Sequence, residues 1–160
     1  MSKSLKRVKA ALEAANPPAQ IIETDAQTRT AAQAAEQADC HVDQIAKSII
    51  FRGESSGMAV LFLTAGGNQV CADQASGLAG EVLGKADAAL IRAQTGFAIG
   101  GVSPVGHLSP IRAFIDPRLL EFATIWAAAG TPRHIFALSP QDLVRLTGGT
   151  VATFTLPQRP

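Results

Sequence analysis

The chain contains no tyrosine, and aromatic residues make up only 5% of it. Its interior must therefore be packed mainly from aliphatic and small side chains. Charge is equally sparse: charged residues are 17%, and the balance is +1. A protein that grips many phosphates needs a strongly positive surface, because affinity scales with the phosphates neutralised. No DNA partner is expected, and any contact with RNA has to be local. The two cysteines, Cys40 and Cys71, lie far apart and form no CxxC pair. They read as reduced thiols in a cytosolic protein. No apolar run is long enough to span a bilayer. The opening MSKSLKRVKAALEAANPP lacks the continuous apolar segment of a signal peptide. No membrane association is expected, and the expected location is cytoplasmic.

Several chemical signatures are missing as well. There is no GxxxxGK[ST] phosphate loop and no GxGxxG. The histidines, His41, His107 and His134, are dispersed without metal-ligand spacing, so neither a metal nor a cofactor is expected. Ser103 stands in Gly-Val-Ser-Pro-Val, and a nucleophile elbow needs glycine where Val105 is found.

What remains is 160 residues with 47% hydrophobic side chains, enough to bury an ordinary core. With no repeat and no dividing linker, one domain over residues 1–160 is expected. Leu5, Val8 and Leu12 form one stripe of a helix over residues 3–15, stopped by Asn16, Pro17 and Pro18. Its basic cluster, Lys3, Lys6, Arg7 and Lys9, reads as a solvated face. Residues 20–24 suit a short strand. Thr30, with Gln33 three positions on, reads as a capping box that opens a helix to about Asp39. Residues 45–52 and 58–64 read as strands, the second buried on both faces because it is continuously apolar. Residues 69–72 look like a third strand of an antiparallel meander. Short helices are expected near 76–83 and 88–94, and strands at 112–115, 122–127 and 134–138. Ser139 and Pro140 then start a last helix, with Ser as N-cap and Pro at the first position. Gly148 and Gly149 end it, and residues 151–154 close the sheet. Strands and helices alternate without a βαβ rhythm, which favours an α+β fold with a mixed, partly closed, barrel-like sheet surrounded by helices.

Two features carry chemistry. Lys47 lies inside an apolar strand between Ile45 and Ile49, where period-2 alternation places the three on one face. The ordinary reading is an edge-strand or solvent-facing lysine. The functional reading is a cation held in a pocket, orienting a carbonyl or phosphate or stabilising charge that develops in a transition state. The second feature is residues 96–110, GFAIGGVSPVGHLSP, rich in glycine and proline. It can serve as a crossover loop, as a rigid cradle of bare amides for a carbonyl oxygen or a ligand's end, or as both. Ser103 and His107 add a hydroxyl and an imidazole, each of which also suits local hydrogen bonding to backbone. Asp116, just before Pro117, reads as a turn or cap residue.

The run 41–51 (HVDQIAKSIIF), the loop 100–107 (GGVSPVGH), the tripeptide Phe114, Ile115, Asp116 and the stretch 121–125 (EFATI) together resemble the YbaK/EbsC family. That family comprises the inserted editing domain of bacterial prolyl-tRNA synthetase and its free-standing homologues, and the resemblance runs in order over nearly the whole chain. It implies a partly closed mixed sheet and a cofactor-free hydrolase that cleaves the ester of mischarged tRNA for proline in trans. Lys47 matches the family's essential lysine. Gly100, Gly101, Val102, Ser103 and Pro104 match its GxxxP loop, which holds the aminoacyl group and terminal adenosine, and His107 is a further candidate for substrate contact. The implied partners are the acceptor end of aminoacyl-tRNA and prolyl-tRNA synthetase.

The sequence departs from the family's cysteine-specific members. Gly130, Thr131, Pro132, Arg133 and His134 stand where those carry a Gly-Lys-Arg-Gly run followed by an acidic residue, and the early strand has no tyrosine. The target amino acid is left open among cysteine, alanine, serine, threonine and small non-proteinogenic ones. Two other readings stand beside this one: a non-catalytic module that binds an RNA 3′ end or a partner protein, and a small-molecule hydrolase built on Ser103 and His107.

Overall fold

Local signals account for most of the elements. The computed structural model describes residues 2–14 and 19–157; the expected helix stop at Asn16, Pro17 and Pro18 lies outside them. Helix α1 (Lys3–Glu13) starts where the Ser2 hydroxyl accepts from the Leu5 amide, and it buries Leu5, Val8 and Leu12. Of its basic residues Lys3, Lys6 and Lys9 are exposed, as a solvated face requires. Arg7 is not: its guanidinium donates to the carbonyls of Gly96 (2.7 Å) and Gly106 (3.3 Å) and lies over the Phe97 ring. After β1 (Ile21–Glu23) comes α2 (Ala31–Ala38), opened by the Thr30–Gln33 capping box and ended by Asp39 in the left-handed conformation.

Strands β2 (Ala46–Gly53) and β3 (Ala59–Ala65) form an antiparallel hairpin, with Ala46 opposite Ala65 and Arg52 opposite Ala59. Every residue of β3 is buried, as its unbroken apolar sequence predicts. Helix α3 (Ala72–Ala79), strand β4 (Leu83–Lys85) and helix α4 (Ala88–Thr95) follow. Then come β5 (Arg112–Ile115), a 3-10 turn (Pro117–Glu121), β6 (Ile125–Ala128), β7 (His134–Leu138), α5 (Pro140–Thr147) and β8 (Thr150–Val151). Ser139 caps α5 and Pro140 opens it, as the sequence indicates.

The meander is replaced by a mixed sheet. Its order is β4-β2-β3-β5-β8, with β5 parallel to β3 and β8 parallel to β5. Residues 69–72 are not a third strand: Val70 makes one bridge to Thr155, and Ala72 already begins α3. β5 takes the place beside β3 instead. A second, antiparallel sheet has the order β1-β7-β6. The two sheets meet at a parallel bridge between Ile45 and Trp126, so the β-structure is mixed and partly closed.

β3 divides the core between its two faces. Leu61, Leu63 and Ala65 pack with α1, Ile115, Ile125 and Phe136. Val60 and Phe62 pack with Phe114 and Phe154. Four of the seven phenylalanines, Phe51, Phe62, Phe114 and Phe154, gather on this second side, with Phe62 to Phe154 at 5.0 Å and Phe62 to Phe114 at 5.3 Å between ring centroids. Among the described residues no helix is long and apolar enough to cross a membrane.

Candidate functional site

The principal cleft arises from incomplete strand pairing. On its β4 side, β2 is paired only at Phe51, Arg52 and Gly53. Upstream of these residues that edge has no strand neighbour, and β6 leaves β2 after the Ile45–Trp126 bridge. Between them lies a cavity of about 640 Å³. Its walls include Lys47, Ser48 and Ile50 of β2, Trp126 of β6, and Gly100 and Val102 of the loop. Thr28, Arg29 and the first turn of α2 also border it. The surface is largely aliphatic, with a few polar groups. An unpaired strand edge adds backbone donors and acceptors to such a wall.

Lys47 is half-buried on this wall. Its ammonium donates to the carbonyl oxygens of Gly66 (3.2 Å) and Asn68 (2.5 Å). An ammonium has three N–H donors, and these two bonds use two of them. Burial pushes the Lys47 pKa below the ordinary lysine value; Asp116, and after it Asp43, pull it back up.

The two accepting carbonyls belong to a tight turn over residues 65–68, closed by the Asn68 amide on the Ala65 carbonyl. Gly66 is obligatory there, because a Cβ would sit on the Val42 carbonyl oxygen. Two buried carboxylates grip the turn from outside. Asp116 accepts from the Ala65 amide (3.1 Å) and the Asn68 side-chain amide (2.9 Å). Asp43 accepts from the Gly67 amide (2.8 Å). Arg118 links the two: its Nε donates to Asp43 (3.0 Å), and its backbone amide to Asp116 (2.9 Å). Asp43 and Asp116 are 5% and 2% exposed, and such depth requires compensated charge.

The loop distributes its residues differently. Gly100 and Val102 line the cleft with Lys47. Gly100 has φ +93° and lies against the Arg29 side chain. Gly101 packs on the Thr131 backbone, where a Cβ would come within 3.0 Å. Ser103 is wholly buried, its hydroxyl accepting from the Val105 amide at 3.2 Å. Pro104 and His107 line a separate hollow of about 470 Å³ with Ala11, Leu146 and Thr147. The His107 ring is held by the Ser103 carbonyl (2.7 Å) and edge-on to Phe97. Its contact with Ser103 is through that carbonyl, not the hydroxyl, so the pair does not form a nucleophile and its base.

Sequence reading missed Asp43, the wider role of Asp116, Arg29, Ser48 and Trp126. Asp116 is the cap it was expected to be, accepting from Arg118, but its second oxygen reaches a distant turn. Among the described residues, Ser48 Oγ is the buried side-chain polar atom with no hydrogen-bond partner. Trp126, the chain's one tryptophan, was a visible signal that went unused.

Known proteins agree with this architecture. A crystal structure named "putative trans-editing enzyme for prolyl tRNA synthetase" is 43% identical, superposes with a TM-score of 0.90, and the match covers 98% of this chain and 99% of that one. A structure solved for epitope backbone grafting onto scaffold proteins is 40% identical with a TM-score of 0.90, over 99% of this chain and 100% of that one. The uncharacterized protein YwhH of Bacillus subtilis (strain 168) is 31% identical over 143 residues, 88% of either chain. The model of the aminoacyl-tRNA editing domain matches residues 25–146, a span that contains Lys47, the 65–68 turn, the loop and both carboxylates. The chain belongs to the aminoacyl-tRNA editing domain family.

Proposed function

We propose that the protein is an aminoacyl-tRNA deacylase acting in trans, which hydrolyses the ester between a small, wrongly attached amino acid and tRNA for proline. The family supports the reaction class, and the 43%-identical structure supports the choice of tRNA. The observation that carries the reading to particular residues is the Lys47 ammonium on the cleft wall, fixed by two carbonyls.

An aminoacyl ester is already activated, so positioning and charge stabilisation are enough. Water, oriented by the ester's surroundings or by a substrate group such as the neighbouring ribose hydroxyl, adds to the ester carbonyl carbon and gives up a proton. The carbonyl oxygen becomes an oxyanion, the bond to the ribose oxygen breaks, and that oxygen leaves with a proton. A Lys47 N–H directed at the oxyanion favours this course; removing one such donor costs on the order of 10²–10³ in rate. Gly100 and Val102 present backbone to the aminoacyl group and the terminal adenosine. Gly101, Ser103, Pro104 and His107 hold the loop's shape from behind. Ile50, Val102 and Trp126 seat a short side chain, and the larger correct amino acid is turned away by size, the logic of a double sieve. Arg29, exposed at the mouth, meets a phosphate near the 3′ end. A net charge of +1 suits a domain that grips only the acceptor end, with prolyl-tRNA synthetase or another factor holding the rest.

The test is release of amino acid from proline tRNA charged in turn with alanine, cysteine, serine, threonine and proline. Turnover of a small amino acid but not of proline is expected, with Lys47→Ala reduced about 10²- to 10³-fold. Wild-type rates in Lys47→Ala would remove this lysine from the mechanism. Tight binding of uncharged tRNA with no turnover of any substrate would select a binding module instead.

A further inference from the structure

We propose that Asp43 and Asp116 are positioning residues for Lys47, acting through the 65–68 turn that carries its two acceptors. The inference rests on Lys47 being the group that meets the ester. A lysine stem is flexible, carrying about 2 kcal/mol of rotamer entropy, and its strand does not fix the ammonium. The carbonyls of Gly66 and Asn68 fix it, and they stand on a turn whose centre is Gly66 and Gly67. Two glycines make a deformable turn, so something outside must define it. Asp116 holds its two ends, Ala65 and Asn68, and Asp43 holds its middle at Gly67. Among the described residues Lys47 makes no ion pair with either carboxylate. The connection runs through the backbone.

Charge balance points the same way. The Arg118 guanidinium pairs with Asp43 and with the exposed Glu121, while Asp116 meets Arg118 through the backbone amide and so has no ion-pair partner among the described residues. One negative charge is left over, and buried charge needs a partner. The protonated Lys47 supplies it across the turn, and both carboxylates act on it electrostatically. The charged groups around the turn are Asp43 before β2, Asp116 after β5, and Arg118 and Glu121 in the 3-10 turn; Arg29 lies on the cleft wall. The two carboxylates thus aim the cation and keep it charged against the desolvation of its site.

The experiment follows Lys47 itself in the full-length protein, by NMR titration of lysine labelled with ¹³C at Cε, with Lys47→Arg identifying the signal. Asp116→Asn is expected to move the Lys47 titration to lower pH. Arg118→Gln, whose side chain is 32% exposed, is expected to move it to higher pH. In step with this, the alkaline limit of deacylation shifts down in Asp116→Asn and up in Arg118→Gln. Asp116→Asn also lowers kcat on the order of 10- to 100-fold with KM little changed, as misplacement of an aligned group does. A purely structural role for the carboxylates would not produce shifts of opposite sign. An unchanged Lys47 titration in Arg118→Gln overturns the proposal, even if Asp116→Asn fails to fold. Should Lys47→Ala deacylate at the wild-type rate, the reading of Lys47 falls whatever the titrations show. Unmoved titrations beside an inactive Lys47→Ala remove the carboxylates' role alone.

Discussion

Two glycine-bearing segments border the cleft, and they are held in opposite ways. The 65–68 turn is short, ends the central strand β3 and is gripped by two buried carboxylates on its own amides. The 96–106 loop is longer and is held from another element, by the Arg7 guanidinium of α1 on the carbonyls of Gly96 and Gly106. In the first, acids bind backbone donors; in the second, a cation binds backbone acceptors. The first arrangement leaves almost no freedom, and it carries the catalytic candidate. The second is held by Arg7 together with scattered neutral contacts, among them those of Ser103 with Val105 and His107, and it forms a wall. Rigidity is placed where an ammonium must be aimed, and one cation with scattered neutral contacts suffices where a surface must only be shaped.

Substitutions can break this contrast. The largest effect is expected from Gly66→Ala, whose Cβ would sit on the Val42 carbonyl. The turn must shift, costing about 3 kcal/mol, and deacylation falls because an acceptor of Lys47 moves. Thermal unfolding and rates measured together check this; a stable, fully active variant would show the turn to be no more constrained than the loop. Arg7→Met comes next, at about 2 kcal/mol, for loss of charge-assisted bonds to two carbonyls. Here KM should rise with kcat nearly unchanged, since the wall loosens and the cation does not. A kcat loss as large as that of Gly66→Ala would erase the distinction. Gly100→Ala should cost about 1 kcal/mol for its positive φ, because its nearest neighbour is the exposed Arg29 side chain and not backbone.

The smallest effect concerns pH. Burial holds His107 below its ordinary pKa, against the opposing bond to the Ser103 carbonyl and with some help from Arg7. The unfolded chain therefore takes up this proton first. The stability from burying the neutral ring is present above about pH 6.5 and is lost as pH falls through that value towards the lower folded pKa. Melting temperature from pH 7.5 down to pH 5 should fall less steeply in His107→Asn than in the wild type. Equal slopes would mean that His107 tethers nothing that matters to the loop.

Much of the fold was legible because its causes are local. Thr30 with Gln33, Ser139 with Pro140, the stripe Leu5, Val8, Leu12 and the apolar run of β3 each act within a few residues. The third strand was misread because β-branched Val70 and its neighbours look extended, while β3's true partner, β5, arrives from some fifty residues downstream (Leu61 beside Ala113). In the site, Lys47 and the loop glycines stood out as oddities of their own surroundings. Asp43 and Asp116 did not, since each looks like an ordinary turn residue. Their meaning lies in pairings 24, 48 and 51 residues apart, which no local pattern encodes. Arg7 was hidden likewise in a helix face that otherwise faces water.

The charges around the turn have a last consequence, at long range. Lys47 and Arg118 stand against Asp43, Asp116 and the exposed Glu121 within one small volume, so the cluster carries no excess of positive charge. Beyond a Debye length, about 8 Å at physiological ionic strength, this cluster projects almost no positive field. It cannot draw a polyanion in from solution, and added salt should change substrate capture little on its account. Lys47 acts only on a group that has already arrived.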